Sequence, residues 1–312
     1  MEVIRLNNHA GSSPFLWRAD RKKGLERDIR KRDSKDRAVF RLVCLFSALA
    51  MIPLFLIIGE LILKGYKHFS INLFTRTEPT SMDAMIAKSV GASIPGGILN
   101  GITGSLLTLL ISIVIAVPLG ILIGIFLADN PKRSYSSLVR SLSDLIQGIP
   151  SIVIGIIVYA WVVKPLHQYS ALAGGVALAI MMLPLIIRST EESLKMLPIS
   201  LREAGTALGC SHMDVVLKIL LPSALGGLFT GILLAVSRVL GETAPLLVTV
   251  LGSSVVNWDI LKPVNAIPLL IWQFYNDPNL ADLVWSSSLF LLIIVLGINL
   301  GAKNLSKKWK IS

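Results

Sequence analysis

The 312-residue chain is 53% hydrophobic and only 16% charged, with a mean hydropathy of +0.70. A water-soluble domain of this length cannot cover so much apolar surface, so the composition specifies an integral membrane protein. The net charge of +11 would suit nucleic acid, but the basic residues follow a membrane topology instead of gathering on one patch.

Six runs are long and apolar enough for about 30 Å of hydrocarbon. They cover 39–63, 105–128, 149–163, 171–187, 224–250 and 284–302, and they predict an all-α, polytopic membrane helix bundle with about six transmembrane helices. Residues 1–38 read as a basic arm in which Arg5 and the Lys and Arg of 18–37 mix with Asp20, Glu26, Asp28, Asp33 and Asp36. Such a segment is solvated or lies on the membrane surface and helps fix orientation. A cleavable signal has a short basic region and an apolar core of about 7–15 residues, so the first span is expected to remain as an anchor. The third run is short and opens at Gly148-Ile149-Pro150, which predicts a broken or tilted start.

Most Lys and Arg fall in the arm, between spans 2 and 3, between spans 4 and 5, and at the C-terminus. The opposite loops hold Lys64, Lys67, Arg76, Lys88, Lys164 and Lys262. The positive-inside rule then puts both termini in the cytoplasm, with an arm at 1–38 and a transmembrane domain at 39–312. Cys44 sits in a span and Cys210 in a cytoplasmic loop, so no structural disulfide is expected. His9, His68, His167 and His212 are scattered without metal-site spacing.

The polar loop between spans 4 and 5 carries the densest pattern. Ser200 and Glu203 stand at capping-box spacing after Pro198, and Gly209 is placed to end a helix over 201–208 through a left-handed residue. Ser211 with Asp214 then opens a second short helix running toward Pro222. A DNA-reading helix-turn-helix is excluded, because Glu203 and Asp214 offset Arg202 and Lys218 and both ends are tethered to spans. An ordinary connector would not need Ala204, Gly205 and Ala207 on an exposed helix. A small face with the lone carboxylate of Glu203 suits insertion into a partner's groove.

This loop resembles the EAA loop of ABC-importer permeases: Glu-Ala-Ala, three residues, Gly, nine residues, Ile, one residue, Leu-Pro. Glu203, Ala204, Gly209, Ile219, Leu221 and Pro222 fall in place, and only the second Ala is replaced, by Gly205. The resemblance implies a type I ABC importer permease fold and docking of two separate ATP-binding cassette subunits on this loop. No Gly-x-x-x-x-Gly-Lys-Ser/Thr phosphate loop occurs in the sequence, so ATP and Mg are expected to be used by those partners. With no nucleophile–base set visible, the chain itself is expected to bind no cofactor and to be no enzyme.

Span 5 contains Arg238 and Glu242, four residues apart and therefore expected on one helix face. A charge at membrane depth costs on the order of 3 kcal/mol or more and is usually paired or functional. Two readings stand: an ion pair that locks spans together, or a permeation-path site in which Arg238 attracts an anion and Glu242 tunes it. Gly241 and Pro245 bracket Glu242 and favour a local distortion suited to a gate or hinge. At neutral pH phosphate keeps a proton and can donate to a carboxylate, whereas sulfate cannot, so an Arg beside a Glu fits phosphate better.

The run Gly241-Glu242-Thr243-Ala244-Pro245-Leu246-Leu247 resembles the A-type permeases of phosphate-uptake systems. So do Gly96-Gly97-Ile98, Pro150-Ser151-Ile152-Val153-Ile154-Gly155 and Ile186-Ile187-Arg188-Ser189-Thr190-Glu191-Glu192-Ser193-Leu194. The resemblance implies phosphate import across a bacterial inner membrane, with membrane lipid around the chain. It also implies a second permease subunit in a heterodimer and a soluble phosphate-binding protein. Sulfate or molybdate import by the same architecture is the alternative. An ion-gradient-driven carrier would carry internal repeats, and none is clear; a scaffold without transport leaves Arg238 and Glu242 unexplained.

Arg188 closes span 4 as either a snorkelling anchor or a residue near the inner gate, and the family segment around it favours the gate. Glu191 and Lys195 are spaced for a surface pair of small weight. In the outer segment 255–280, Trp258, Trp272, Phe274 and Tyr275 read as interfacial anchors and as part of a docking surface for the binding protein. The pairs Gly97/Gly101, Gly120/Gly124 and Gly227/Gly231 permit close helix approach.

Overall fold

A computed structural model describes the backbone of residues 14–92 and 94–309, with side chains for 36, 37, 39–92 and 94–304. Residues 1–13 of the expected basic arm, and the arm's side chains through 35, lie outside the described residues. The chain divides into two units, 1–60 and 61–312. The described part of the first unit is helical throughout, within α1 (Pro14–Gly65), and it exposes apolar side chains such as Leu45, Phe46 and Phe55.

The second unit is built on four long helices: α4 (Leu99–Asp129), α7 (Ala171–Lys195), α9 (His212–Val239) and α12 (Ala281–Trp309). Two short helices, α2 (Ile71–Thr75) and α3 (Ser81–Ser89), precede them. Between α4 and α7 lie α5 (Ser134–Gly148) and α6 (Ser151–Leu166), which meet at a bend of 103°. With the helix from Val39 to His68, five helices among the described residues are long and apolar enough to cross a membrane, or six if the bent pair forms one span.

That bend lies at Gly148-Ile149-Pro150, where the sequence predicts a broken start to the third span. Pro150 pushes Ile149 into extended backbone (φ −74°, ψ 132°), which no helix continues through. The sixteen residues of α6 reach only about 24 Å at 1.5 Å per residue, short of the hydrocarbon thickness.

Helix α9 corrects the prediction of a short second loop helix. It runs through Pro222 into the bundle, 28 residues in all. A proline lacks an N–H, and its ring meets the carbonyl four residues back. Here the turn before it, Val215–Leu220, is widened so that the Leu221 N–H donates to the Val216 carbonyl, five back. Helix α6 uses the same device ahead of Pro165, where the Lys164 N–H donates to the Tyr159 carbonyl.

The core lies where α4, α7 and α9 meet, with Ala116, Leu178, Met182, Ile186, Ala235 and Val239 all nearly inaccessible. Glycines set these spacings. A Cβ on Gly124 would stand 2.5 Å from the Thr190 Cβ, and one on Gly231 would stand 2.2 Å from the Ser189 Cβ, so neither helix pair could close with a larger residue.

The segment taken as an outer loop folds back into this bundle. α11 (Ile267–Tyr275) buries Leu269, Leu270 and Phe274, so Phe274 is a core residue rather than an interfacial anchor, while Trp258, Trp272 and Tyr275 remain exposed. Nine residues are too few to span a bilayer, but enough to fill the mouth of a bundle. A polar network holds the segment there. The Asn265 Nδ2 donates to Glu78 Oε2 (3.1 Å) and Gln273 Oε1 (2.9 Å), Asn100 Nδ2 donates to the Ser253 carbonyl (2.8 Å), and Ser254 donates to Glu78.

Candidate functional site

The loop 196–214 folds as α8 (Ile199–Ala207), a tight turn, and the start of α9. The expected capping box does not form: Pro198 occupies the cap position, no side chain caps the helix, and Ser200 and Glu203 lie inside it. Proline in extended backbone starts the helix instead, with the Leu201 N–H donating to its carbonyl at 3.1 Å. Gly209 does take the left-handed conformation that ends the turn (φ +77°). Ser211 caps α9 by accepting from the Asp214 N–H at 3.2 Å.

The exposed face of the loop differs from the one expected. Glu203, Ala204 and Ala207 point outward, but Gly205 is buried against α9. A Cβ there would stand 2.9 Å from both the Ile219 Cδ1 and the Val215 Cγ2, so Gly205 and Ile219 form the contact between the two helices. Leu221 packs in the same apolar cluster, and Pro222 is exposed.

Around Glu203 the loop presents Ile199, Leu208 and Met213, at 75%, 83% and 66% exposure. The sequence reading passed over these residues, although three large apolar side chains in a polar loop are a signal for a buried interface. A carboxylate set among exposed apolar side chains and small residues is suited to dock into a partner.

A second polar site lies between α5 and α7, where a cavity of about 220 Å³ is lined by Arg140, Gln147, Arg188, Glu191 and Lys195, among others. Glu191 is 6% exposed, not the surface residue its spacing suggested. Its Oε1 takes Arg140 Nη2 at 2.7 Å and Lys195 Nζ at 2.5 Å. Arg140 also donates to the carbonyls of Pro131 (3.2 Å) and Leu127 (3.3 Å), so one guanidinium ties α5 to the end of α4 and to α7. Nothing in the sequence distance of 51 residues advertised that pair. Arg188 stands on the rim, largely exposed, with Glu192 at 3.2 Å and Asp144 at 3.7 Å. The buried Gln147 Nε2 has no hydrogen-bond partner among the described residues.

Arg238 and Glu242 do not share a helix face. α9 ends at Val239, and residues 240–243 form an irregular turn closed by the Glu242 N–H donating to the Val239 carbonyl at 3.1 Å. Pro245 does not kink a continuing helix. It starts a new one, α10 (Ala244–Leu247), and is buried against Gly155 of α6. Arg238 is exposed, Glu242 is half-buried and Gly241 is exposed. Among the described residues no ion pair or side-chain hydrogen bond joins Arg238 to Glu242, or either of them to another residue. The structure thus gathers the loop residues into one surface, sets Arg188 beside a cavity, and places Arg238 at the far end of α9.

Known proteins share both the sequence and the fold. The family model described as binding-protein-dependent transport system inner membrane component matches residues 120–310. The phosphate transport system permease protein PstA of Haemophilus influenzae is 33% identical over 247 residues, covering 78% of this chain and 84% of that protein. The protein of the same name from Xylella fastidiosa is 38% identical over 179 residues, covering 56% of this chain and 62% of its own length. A chain of the inward-facing MetNI methionine ABC transporter has the same fold, with a TM-score of 0.53 at 19% identity, covering 67% of this chain and 93% of that one.

Proposed function

The chain belongs to the binding-protein-dependent transport system inner membrane components and, within them, to the phosphate transport system permeases, and on that premise we propose that phosphate meets Arg238 on its way through the bundle. It is a multi-pass inner-membrane permease subunit of an ATP-driven phosphate importer, working with ATPase and binding-protein subunits. The observation that carries the path assignment is Arg238, a cation near the end of a membrane-crossing helix with no counter-charge among the described residues. An anion from outside the chain can supply that counter-charge.

In this reading phosphate supplies that anion. The Arg238 guanidinium donates to phosphate oxygens, and the Glu242 carboxylate accepts a hydrogen bond from the hydroxyl that phosphate retains at neutral pH. The turn over residues 240–243, which holds Gly241 and is anchored by the buried Pro245 of α10, lets Glu242 change its distance from Arg238, and Arg188 draws the anion on toward the loop end of the bundle. Two ATPase subunits, which use ATP and Mg, grip this chain and a second, different permease through their loops. On this chain the grip falls on Glu203, Ala204 and the neighbouring Leu208 and Met213. Gly205, Gly209, Ile219, Leu221 and Pro222 give the loop its shape, and α9 carries motion about 40 Å from the loop to Arg238. Both termini are cytoplasmic, the arm 1–38 lies there, and a soluble phosphate-binding protein delivers substrate to the opposite face.

Uptake of radiolabelled phosphate into proteoliposomes holding the assembled complex tests the substrate. Unlabelled phosphate should compete, whereas sulfate and molybdate in excess should not. Transport of either of those ions in place of phosphate overturns the assignment.

A further inference from the structure

Asp129 is the last residue of α4, and its side chain is only 15% exposed. A carboxylate there opposes the negative end of the helix dipole, a penalty of roughly 0.3–1 kcal/mol, so the stability of α4 does not explain it. Its partners do. Oδ1 accepts from Arg202 Nη2 at 2.6 Å, and Oδ2 lies 3.5 Å from His212 Nε2. Arg202 belongs to α8, which packs on α9 through Gly205 and Ile219, so the Asp129–Arg202 pair ties the loop to the end of α4.

The other end of α4 is equally fixed. Asn100, 1% exposed, donates to the Ser253 carbonyl at 2.8 Å and accepts from the Glu78 N–H at 3.3 Å. Helix α4 is therefore a rod of about 45 Å between the loop and the polar network at the opposite mouth.

We propose that Asp129 is the positioning residue that latches the ATPase-facing loop to α4, so that displacement of the loop moves α4 together with α9 and reaches both mouths of the bundle at once. Without the latch, the loop drives α9 alone and leaves the opposite mouth behind. The proposal rests on the transport reading for its consequence, but the latch itself has a readout that does not.

The test uses the full complex with Asp129→Ala, and the double variant Asp129→Arg with Arg202→Asp. Amide hydrogen exchange over 201–214 should quicken about ten-fold in Asp129→Ala while α7 stays protected. Phosphate moved per ATP hydrolysed should fall about ten-fold, and the double variant should recover most of both losses. Unchanged exchange, unchanged transport per ATP, or failure of the charge swap to restore either one overturns the latch. A complex that fails to assemble in both variants also overturns it, since Asp129 would then be holding the fold. If the unmodified complex moves no phosphate, the transport reading fails instead, and the exchange measurement still decides on the latch.

Discussion

The two ends of α9 handle charge in opposite ways. At the loop end Arg202 pairs with Asp129 and Lys218 with Asp214, each at 2.6 Å; at the other end Arg238 meets no counter-charge among the described residues. Charges that are paired within one chain build a scaffold, and most such surface pairs contribute little to stability. A charge left unpaired near the end of a membrane-crossing helix is instead available to something outside the chain, and that contrast separates the part of α9 that is held from the part proposed to meet substrate.

The largest effect expected from breaking the loop end is at Glu203. Its carboxylate faces outward without an internal role, so Glu203→Lys should leave the chain inserted and folded but cut ATP-dependent phosphate uptake roughly a hundred-fold, as loss of an interface hot spot does. Membrane insertion and uptake measured side by side check this, and normal uptake would remove Glu203 from the docking surface. Next comes Glu191, the buried anion between Arg140 and Lys195. Glu191→Gln leaves two cations short of a partner and should destabilise the packing of α5 on α7 by about 2 kcal/mol, seen as a lower melting temperature of the purified complex. Arg188→Gln should leave that temperature unchanged, because its pairs are exposed.

A smaller effect is expected at Gly205. An alanine meets only the tips of Ile219 and Val215 at 2.9 Å, which can shift, so Gly205→Ala should keep uptake; Gly205→Val forces α8 away from α9 and should reduce it. Uptake at equal amounts of assembled complex distinguishes the two. The smallest effect is at Lys218, whose pair with Asp214 is exposed. Lys218→Ala should change neither melting temperature nor uptake.

Much of the fold was legible because hydrophobic length is a strong signal: the long spans and the loop between the fourth and fifth appeared directly. Local rules failed where two of them competed. Pro222 read as a stop, because the sequence does not reveal that one wide turn lets a helix pass it. Arg238 and Glu242 read as neighbours because four residues make one helical turn, but the helix ends between them. The Arg140–Glu191 and Arg202–Asp129 pairs join residues 51 and 73 apart, and no periodicity encodes contacts of that kind. The close approach of α7 to α4 and α9 was legible in part, since paired glycines announce contact without naming the partner.

The most direct measurement is phosphate uptake by proteoliposomes carrying Arg238→Gln in an otherwise intact complex, with assembly and ATP hydrolysis followed in the same preparation. Uptake should fall roughly a hundred-fold, the scale of losing a charge contact to the bound anion, while the subunits stay together and still hydrolyse ATP. Near-normal uptake, or a complex that no longer assembles, would show that Arg238 serves structure or nothing at all, and that phosphate takes another path.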